Sequence, residues 1–207
     1  VQTIAGAEPT TFRNLTVDNL SGVTLGASQI ISGVLDLKTG DLTAAANTLT
    51  LGSAATVTGT HEVVGAVRRT QTFAAGVPYA FNQRNLILVF DTVGAMSSLT
   101  VIVAKSLPDL LQPALPRTVT ITPDGAGYTA TLRLPYLDAE LNGIPEADLR
   151  LWRRGPRGWE TKPPQNVNPV ENWVEQSGIT AFSTWALAPA DASAGSRIYL
   201  PLALRDR

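Results

Sequence analysis

Between Phe12 and Thr70 the sequence runs as short β-prone pieces separated by Gly, Asn and Asp, and this feature narrows the fold further than any other. The pieces are FRNLTV, SGVTL, SGVLDL, TGDLTA, NTLTLG, ATVTG and VVGAVRRT. Within them Leu15 and Val17, Val23 and Leu25, Leu35 and Leu37, and Leu49 and Leu51 stand two apart. That is the period of a strand with one apolar face. Small residues and threonine fill the other positions, and turn residues recur too often for long sandwich strands. Stacked rungs of a β-solenoid or tight β-roll are therefore predicted for residues 1–70. A rung buries its face only against a neighbouring rung, so the last one needs a cap.

The pattern changes after Gln71. Longer apolar runs follow: LILVF (86–90), LTVIVA (99–104), RTVTI (117–121), YTATLRL (128–134), LRLWR (149–153), NWVEQ (172–176) and ITAFSTWALA (179–188). Their β-branched and aromatic content, with turn dipeptides at Asp124-Gly125 and Asn142-Gly143, predicts antiparallel strands joined by hairpins. Seven or eight such strands make an immunoglobulin-like β-sandwich over 71–190. Only LPDLLQPAL (107–115) suggests a helical turn, and its prolines limit it. The expected fold class is all-β: solenoid or roll rungs, then an antiparallel sandwich, then a linker and terminal strand over 191–207.

The rung stretch NLTVDNLSGVTLG, with ISGVLDLKTGDLTAAANTLTLGSAATVTG and VVGAVRRT, resembles the β-helical repeat region of large secreted bacterial surface proteins and adhesins. The segment YLDAELNGIPEADLRLWR, then Gly158-Trp159, then SGITAFSTWALA, resembles a module found near the C-termini of such proteins. The resemblance implies an extracellular or cell-surface scaffold without known catalysis. A chain opening on Val1 fits the removal of a signal peptide.

Composition excludes several functions. Sixteen basic and seventeen acidic residues leave a net charge of −1, which gives no field for nucleic acid. Cysteine is absent, removing disulfides, thiolate metal sites and thiol nucleophiles together. No apolar run approaches the roughly 18–20 residues of a membrane-spanning helix. The single histidine, His61 beside Glu62, is a poor start for a hydrolytic triad, and no phosphate loop or His-rich metal motif is present. The chain is expected not to be an enzyme and to carry no cofactor.

Two clusters merit attention as sites. Asp138, Glu140, Asn142 and Glu146, with Gly143, imitate the first half of a calcium loop, but Leu149 stands where the closing glutamate belongs. A solvated turn at Asn142-Gly143 competes with that reading. Among the tryptophans, Trp152 and Trp185 lie in apolar strands and are expected in the core. Trp159 and Trp173 have polar neighbours and are the candidates for a ligand-facing aromatic surface.

The C-terminal end has the strictest pattern. After the small-residue linker PADASAGS (189–196), Ile198, Leu200, Leu202 and Leu204 occupy every second position of RIYLPLALRDR. An extended chain puts all four on one face, and the linker spans at most about 25 Å. The strand can complete its own sandwich or add to a neighbouring subunit's sheet, with Pro201 acceptable at an edge. YLPLALR also resembles a short terminal signature of secreted bacterial proteins. The expectation is an extracellular structural subunit whose partners are copies of itself, assembling into a filament or layer. The alternative is a monomeric adhesin domain for carbohydrate or a host or mat surface.

Overall fold

The computed structural model describes residues 1–195. The first rung consists of β1 (Gln2–Ile4), β2 (Thr11–Phe12) and β3 (Leu15–Asp18). The second repeats it as β4 (Val23–Leu25), β5 (Gln29–Ile31) and β6 (Val34–Thr39). In the third, β7 (Leu42–Leu51) serves two stacks, with an irregularity between Thr43 and Thr48 where Ala45 takes φ 53°, and β8 (Thr56–Gly59) serves the other. All rung pairings are parallel: Val23 with Leu42 and Leu42 with Val63, Leu15 with Leu35 and Leu35 with Val57. Side chains bridge rungs as well, since Asn14 Oδ1 accepts from the Val34 N–H, 20 residues on.

The corners bring backbone onto backbone. At Gly40, φ is +74° and a Cβ would lie 1.9 Å from the Asn19 carbonyl oxygen; at Gly59 it would lie 2.2 Å from that of Leu37. Only glycine fits at such corners.

β9 (Val63–Thr70) joins the two halves. On one side it runs parallel to β7, pairing Val67 with Leu49, and on the other antiparallel to β12 (Ser98–Ala104), pairing Val67 with Val101. The chemical change after residue 70 thus marks a switch in pairing direction within one continuous sheet. Between these strands lie β10 (Pro78–Ala80) and β11 (Ile87–Thr92); beyond them come β13 (Leu111–Gln112), β14 (Thr118–Pro123) and β15 (Thr129–Pro135). The remaining strands are β16 (Leu149–Gly155), β17 (Gly158–Thr161), β18 (Asn166–Asn168), β19 (Trp173–Ile179), β20 (Thr184–Pro189) and β21 (Ser193–Ala194).

The long sheet runs β1-β4-β7-β9-β12-β14-β20-β16-β17, with β2 and β5 alongside. The opposing layer comes in two pieces, β3-β6-β8 under the rungs and β10-β11-β15-β19-β18 in the sandwich. One core runs through both, from Val17 and Leu37 to Phe90, Leu134 and Trp185. The molecule is all-β, with solenoid-like parallel stacking followed by antiparallel sheets. Among the described residues no helix is long and apolar enough to cross a membrane.

Several local expectations change. Asp124-Gly125 is a crossover, since β14 pairs with β12 and β20 while β15 pairs with β11 and β19. Asn142-Gly143, at φ 47° and 84°, lies between two 3-10 turns (Asp138–Glu140 and Glu146–Asp148) and joins no strand pair. The run 107–115 is not helical: β13 pairs with β21 and covers the outer face of β16, β17 and β20. A second small core forms there, containing Leu111, Trp152, Trp159 and Ala186.

Candidate assembly edge and polar seams

The first rung ends the parallel stacks. Among the described residues β1 pairs only with β4, β2 only with β5 and β3 only with β6, so three strand edges lie unpaired at one end of the molecule. Ile4, Phe12 and Leu15 are half-buried there and pack on the core from one side. A shallow hollow of about 340 Å³ opens among Ile4, Leu15, Val17 and Val23. Free backbone donors and acceptors beside apolar side chains are what strand addition requires.

Where the rung piece of the opposing layer gives way to the sandwich piece, carbonyls from both sides converge on one buried side chain. Arg69, 3% exposed, answers them. Its Nε donates to the Ala80 carbonyl at 3.0 Å, Nη1 to Gly52 at 3.1 Å and Nη2 to Ala55 at 2.8 Å, with the Phe81 ring 5.7 Å from its centre. Burial lowers this guanidinium to about 10, which leaves it charged at neutral pH.

A second seam is an ion cluster. Arg117 Nη2 donates to Glu62 Oε1 at 3.0 Å and to Glu140 Oε1 at 2.8 Å, and its Nε donates to Glu140 Oε2 at 3.1 Å. All three residues are buried. Burial works against the Arg117 charge, but the two carboxylates outweigh it and hold the guanidinium above its ordinary value. Lys105 extends the cluster to Glu62 at 3.0 Å and to Asp41 at 2.6 Å. Glu62 and Asp41 belong to the rung half, while Lys105, Arg117 and Glu140 belong to the sandwich half, so the cluster ties one to the other.

The calcium candidates are spent elsewhere. Glu140 faces Arg117 and accepts from the Leu137 N–H at 3.0 Å, Asp138 accepts from Asn172 at 2.6 Å, and Glu146 accepts from the Tyr136 hydroxyl at 2.5 Å. Burial, and then the Glu146 carboxylate, raise the Tyr136 hydroxyl above its usual value. Asn142 stands apart in its turn. No group of three or more His, Asp or Glu side chains among the described residues could hold a metal ion. The spacing imitates a calcium loop, but the 3-10 turn directs Glu140 inward.

Trp152 and Trp185 are buried as their apolar strands imply. Trp159 is buried too, at 6%, because 107–115 folds over it and the Asp109 carbonyl accepts its indole N–H at 2.6 Å. Its polar neighbours point to the opposite face of the strand. Trp173 is half-exposed; Arg133 lies 4.0 Å above its ring and covers one face, and Glu171 accepts its N–H at 2.8 Å. His61 Nδ1 stands 3.6 Å from Asp41. Ile198, Leu200, Leu202 and Leu204 lie outside the described residues.

Sequence reasoning missed Arg69 and Arg117, and a signal existed. Each occupies the inward phase of its strand: Arg69 follows Val67 by two, and Arg117 precedes Val119 and Ile121 at the same period. A charge in the apolar phase marks a buried partner. No family model, curated protein or solved structure matches the chain.

Proposed function

We propose that the chain is an extracellular structural subunit that self-assembles into a filament or layer, a neighbour's sheet being extended by the terminal strand. The observation that carries this reading is the first rung, with three edges unpaired among the described residues and backed by half-buried Ile4, Phe12 and Leu15. Ile198, Leu200, Leu202 and Leu204 supply a complementary sequence with one aliphatic face. Secretion is supported by the resemblance of the rung stretch and YLPLALR to secreted bacterial surface proteins. Light scattering across a concentration series, with electron microscopy of the intact chain and of a variant lacking residues 197–207, tests the assembly. Polymers lost on deletion are expected; a strict monomer overturns the reading.

A monomeric carbohydrate- or surface-binding adhesin domain is the second reading. It draws on an open groove of about 410 Å³ beside the ion cluster, lined by Thr60, Gln83, Arg84, Asn85 and Asn172 among others. Amide, hydroxyl and guanidinium groups suit sugar hydroxyls. A glycan array with the monomer decides it, and binding that survives deletion of 197–207 favours it.

A further inference from the structure

We infer that the acceptor of the terminal strand is the first rung of a second copy, at the free β3 edge, so that copies join head to tail along the stacking direction of the rungs. This rests on the self-assembly reading and specifies its acceptor.

The two ends of the long sheet supply the geometry. The described chain finishes at Gly195, whose carbonyl oxygen lies 3.8 Å from where a Cβ on Gly158 would stand. That places it beside β17. β17 and β1 terminate the nine-strand path, and eight spacings of about 4.8 Å put them about 38 Å apart along the sheet. Ile198 and Leu204 follow Gly195 by three and nine residues, so full extension carries them at most about 10 and 30 Å. Measured along the sheet, that reach falls short of β1 of the same chain. The described chain ends opposite that rung, which is the arrangement a heterologous, propagating contact needs.

The acceptor layer matches in chemistry. In the β3-β6-β8 stack Leu15 and Val17 lie against Leu35 and Leu37, aliphatic groups at every second position. Ile198, Leu200, Leu202 and Leu204 continue that pattern. Successive residues of a strand direct their backbone groups to opposite sides. If the four aliphatic residues bond the acceptor, Pro201 falls in the other set, and its missing N–H costs no bond at the joint. Two other sheet-end strands among the described residues offer less. β10 begins with Pro78, which has no N–H, and β18 presents Asn166 and Asn168.

The natural sequence has no cysteine, so introduced pairs report contacts without background. The test is oxidation of the full chain carrying Thr16→Cys on exposed β3 with Ala203→Cys or Tyr199→Cys, beside a chain carrying Lys162→Cys next to β17 with the same tail cysteines. A ladder of reducible multimers from the Thr16 pairs alone is expected. Polymers by light scattering with no Thr16 ladder, or with the ladder in the Lys162 chain, overturn the acceptor and leave self-assembly standing. A reducible shift confined to the monomer band shows the strand on its own chain and overturns both. A strict monomer without crosslinks overturns the self-assembly reading beneath the inference.

Discussion

The rungs and the sandwich share one sheet yet close their second layer differently. In the rungs the chain itself returns to the opposing layer on every circuit, and the interior is filled by interchangeable aliphatic groups: Leu25, Ile31, Leu35, Leu37, Leu42, Leu49 and Leu51. In the sandwich the layers meet through rings found once each. Phe90 lies among Phe73, Tyr79, Tyr128 and Phe182, with centroid separations of 5.5 to 6.5 Å. Repetition makes each rung a small copy of its neighbour, whereas the sandwich depends on particular side chains. Where the two meet, buried arginines add polar ties to the continuous sheet and core.

The largest expected effects test whether these halves unfold as one. Phe90→Ala removes the ring that four others touch and should cost about 3–5 kcal/mol, while Leu37→Ala in a rung should cost about 2–5 kcal/mol. All four tryptophans lie in the sandwich half, so their fluorescence reports that half and far-ultraviolet circular dichroism reports both. With the core continuous, Leu37→Ala should lower both urea midpoints together. If the dichroism midpoint falls while the fluorescence midpoint stays, the rungs melt alone and the single-core account fails.

Next comes the joint. Arg117→Met leaves Glu62 and Glu140 buried without their shared cation, a change that costs about 3–5 kcal/mol in buried pairs. Lys105 still reaches Glu62, which keeps the expected value near about 3 kcal/mol. Adding Glu62→Gln and Glu140→Gln removes the stranded charges and should recover part of the loss. Urea unfolding of the single and triple variants measures this. A loss below about 1 kcal/mol for Arg117→Met would place the cluster among weak surface pairs and deny it the role of a joint.

The comparison also shows what a sequence can reveal. Alternation at Leu35 and Leu37, or at Val119 and Ile121, is local, and it marked the strands and their inward faces. The double pairing of β9 was not legible, because its partners β7 and β12 lie on either side of it in sequence and run in opposite senses. Trp159 was misplaced for a related reason: its cover, 107–115, lies about 50 residues away, as the bond to Asp109 shows. Asp138, Glu140, Asn142 and Glu146 had suggestive spacing, but spacing does not tell which way a carboxylate points. Arg69 and Arg117 were legible in phase, had charges in apolar positions been counted as evidence of partners.

A rung corner gives a smaller and purely steric test. Gly40→Ala places a Cβ 1.9 Å from the Asn19 carbonyl in a backbone at φ +74°, so the rungs must separate locally. A loss of about 1–3 kcal/mol is expected, in the range of single strained residues. Gly143→Ala is the control: it has φ +84° but nothing within 4 Å of the added Cβ, so it carries the backbone strain without the clash. Equal melting temperatures for the two variants would mean the rungs are not in close contact at that corner.

The smallest effect comes from the outer part of the ion cluster, through its pH dependence. Burial alone would raise the Asp41 carboxyl, but the hydrogen bond and charge of Lys105, then the Glu62 N–H, outweigh it and hold it below its ordinary 3.8. Burial alone would lower the Lys105 ammonium, but Asp41 and Glu62 outweigh that and hold it above 10.5. The Asp41 contribution is complete above the unfolded carboxylate value and disappears as pH falls through the lowered folded value. The Lys105 contribution is complete below 10.5 and disappears as pH rises through the raised one. Stability from the pair is therefore flat through neutrality and declines at both extremes. Lys105 is about a third exposed, so solvent screens the interaction and the decline is shallow. Melting temperatures across the pH range for the natural chain and for Lys105→Met measure it. The two curves should differ most near neutrality and converge at low and high pH; curves that stay parallel throughout would show that Lys105 does not link the rung corner at Asp41 to the sandwich.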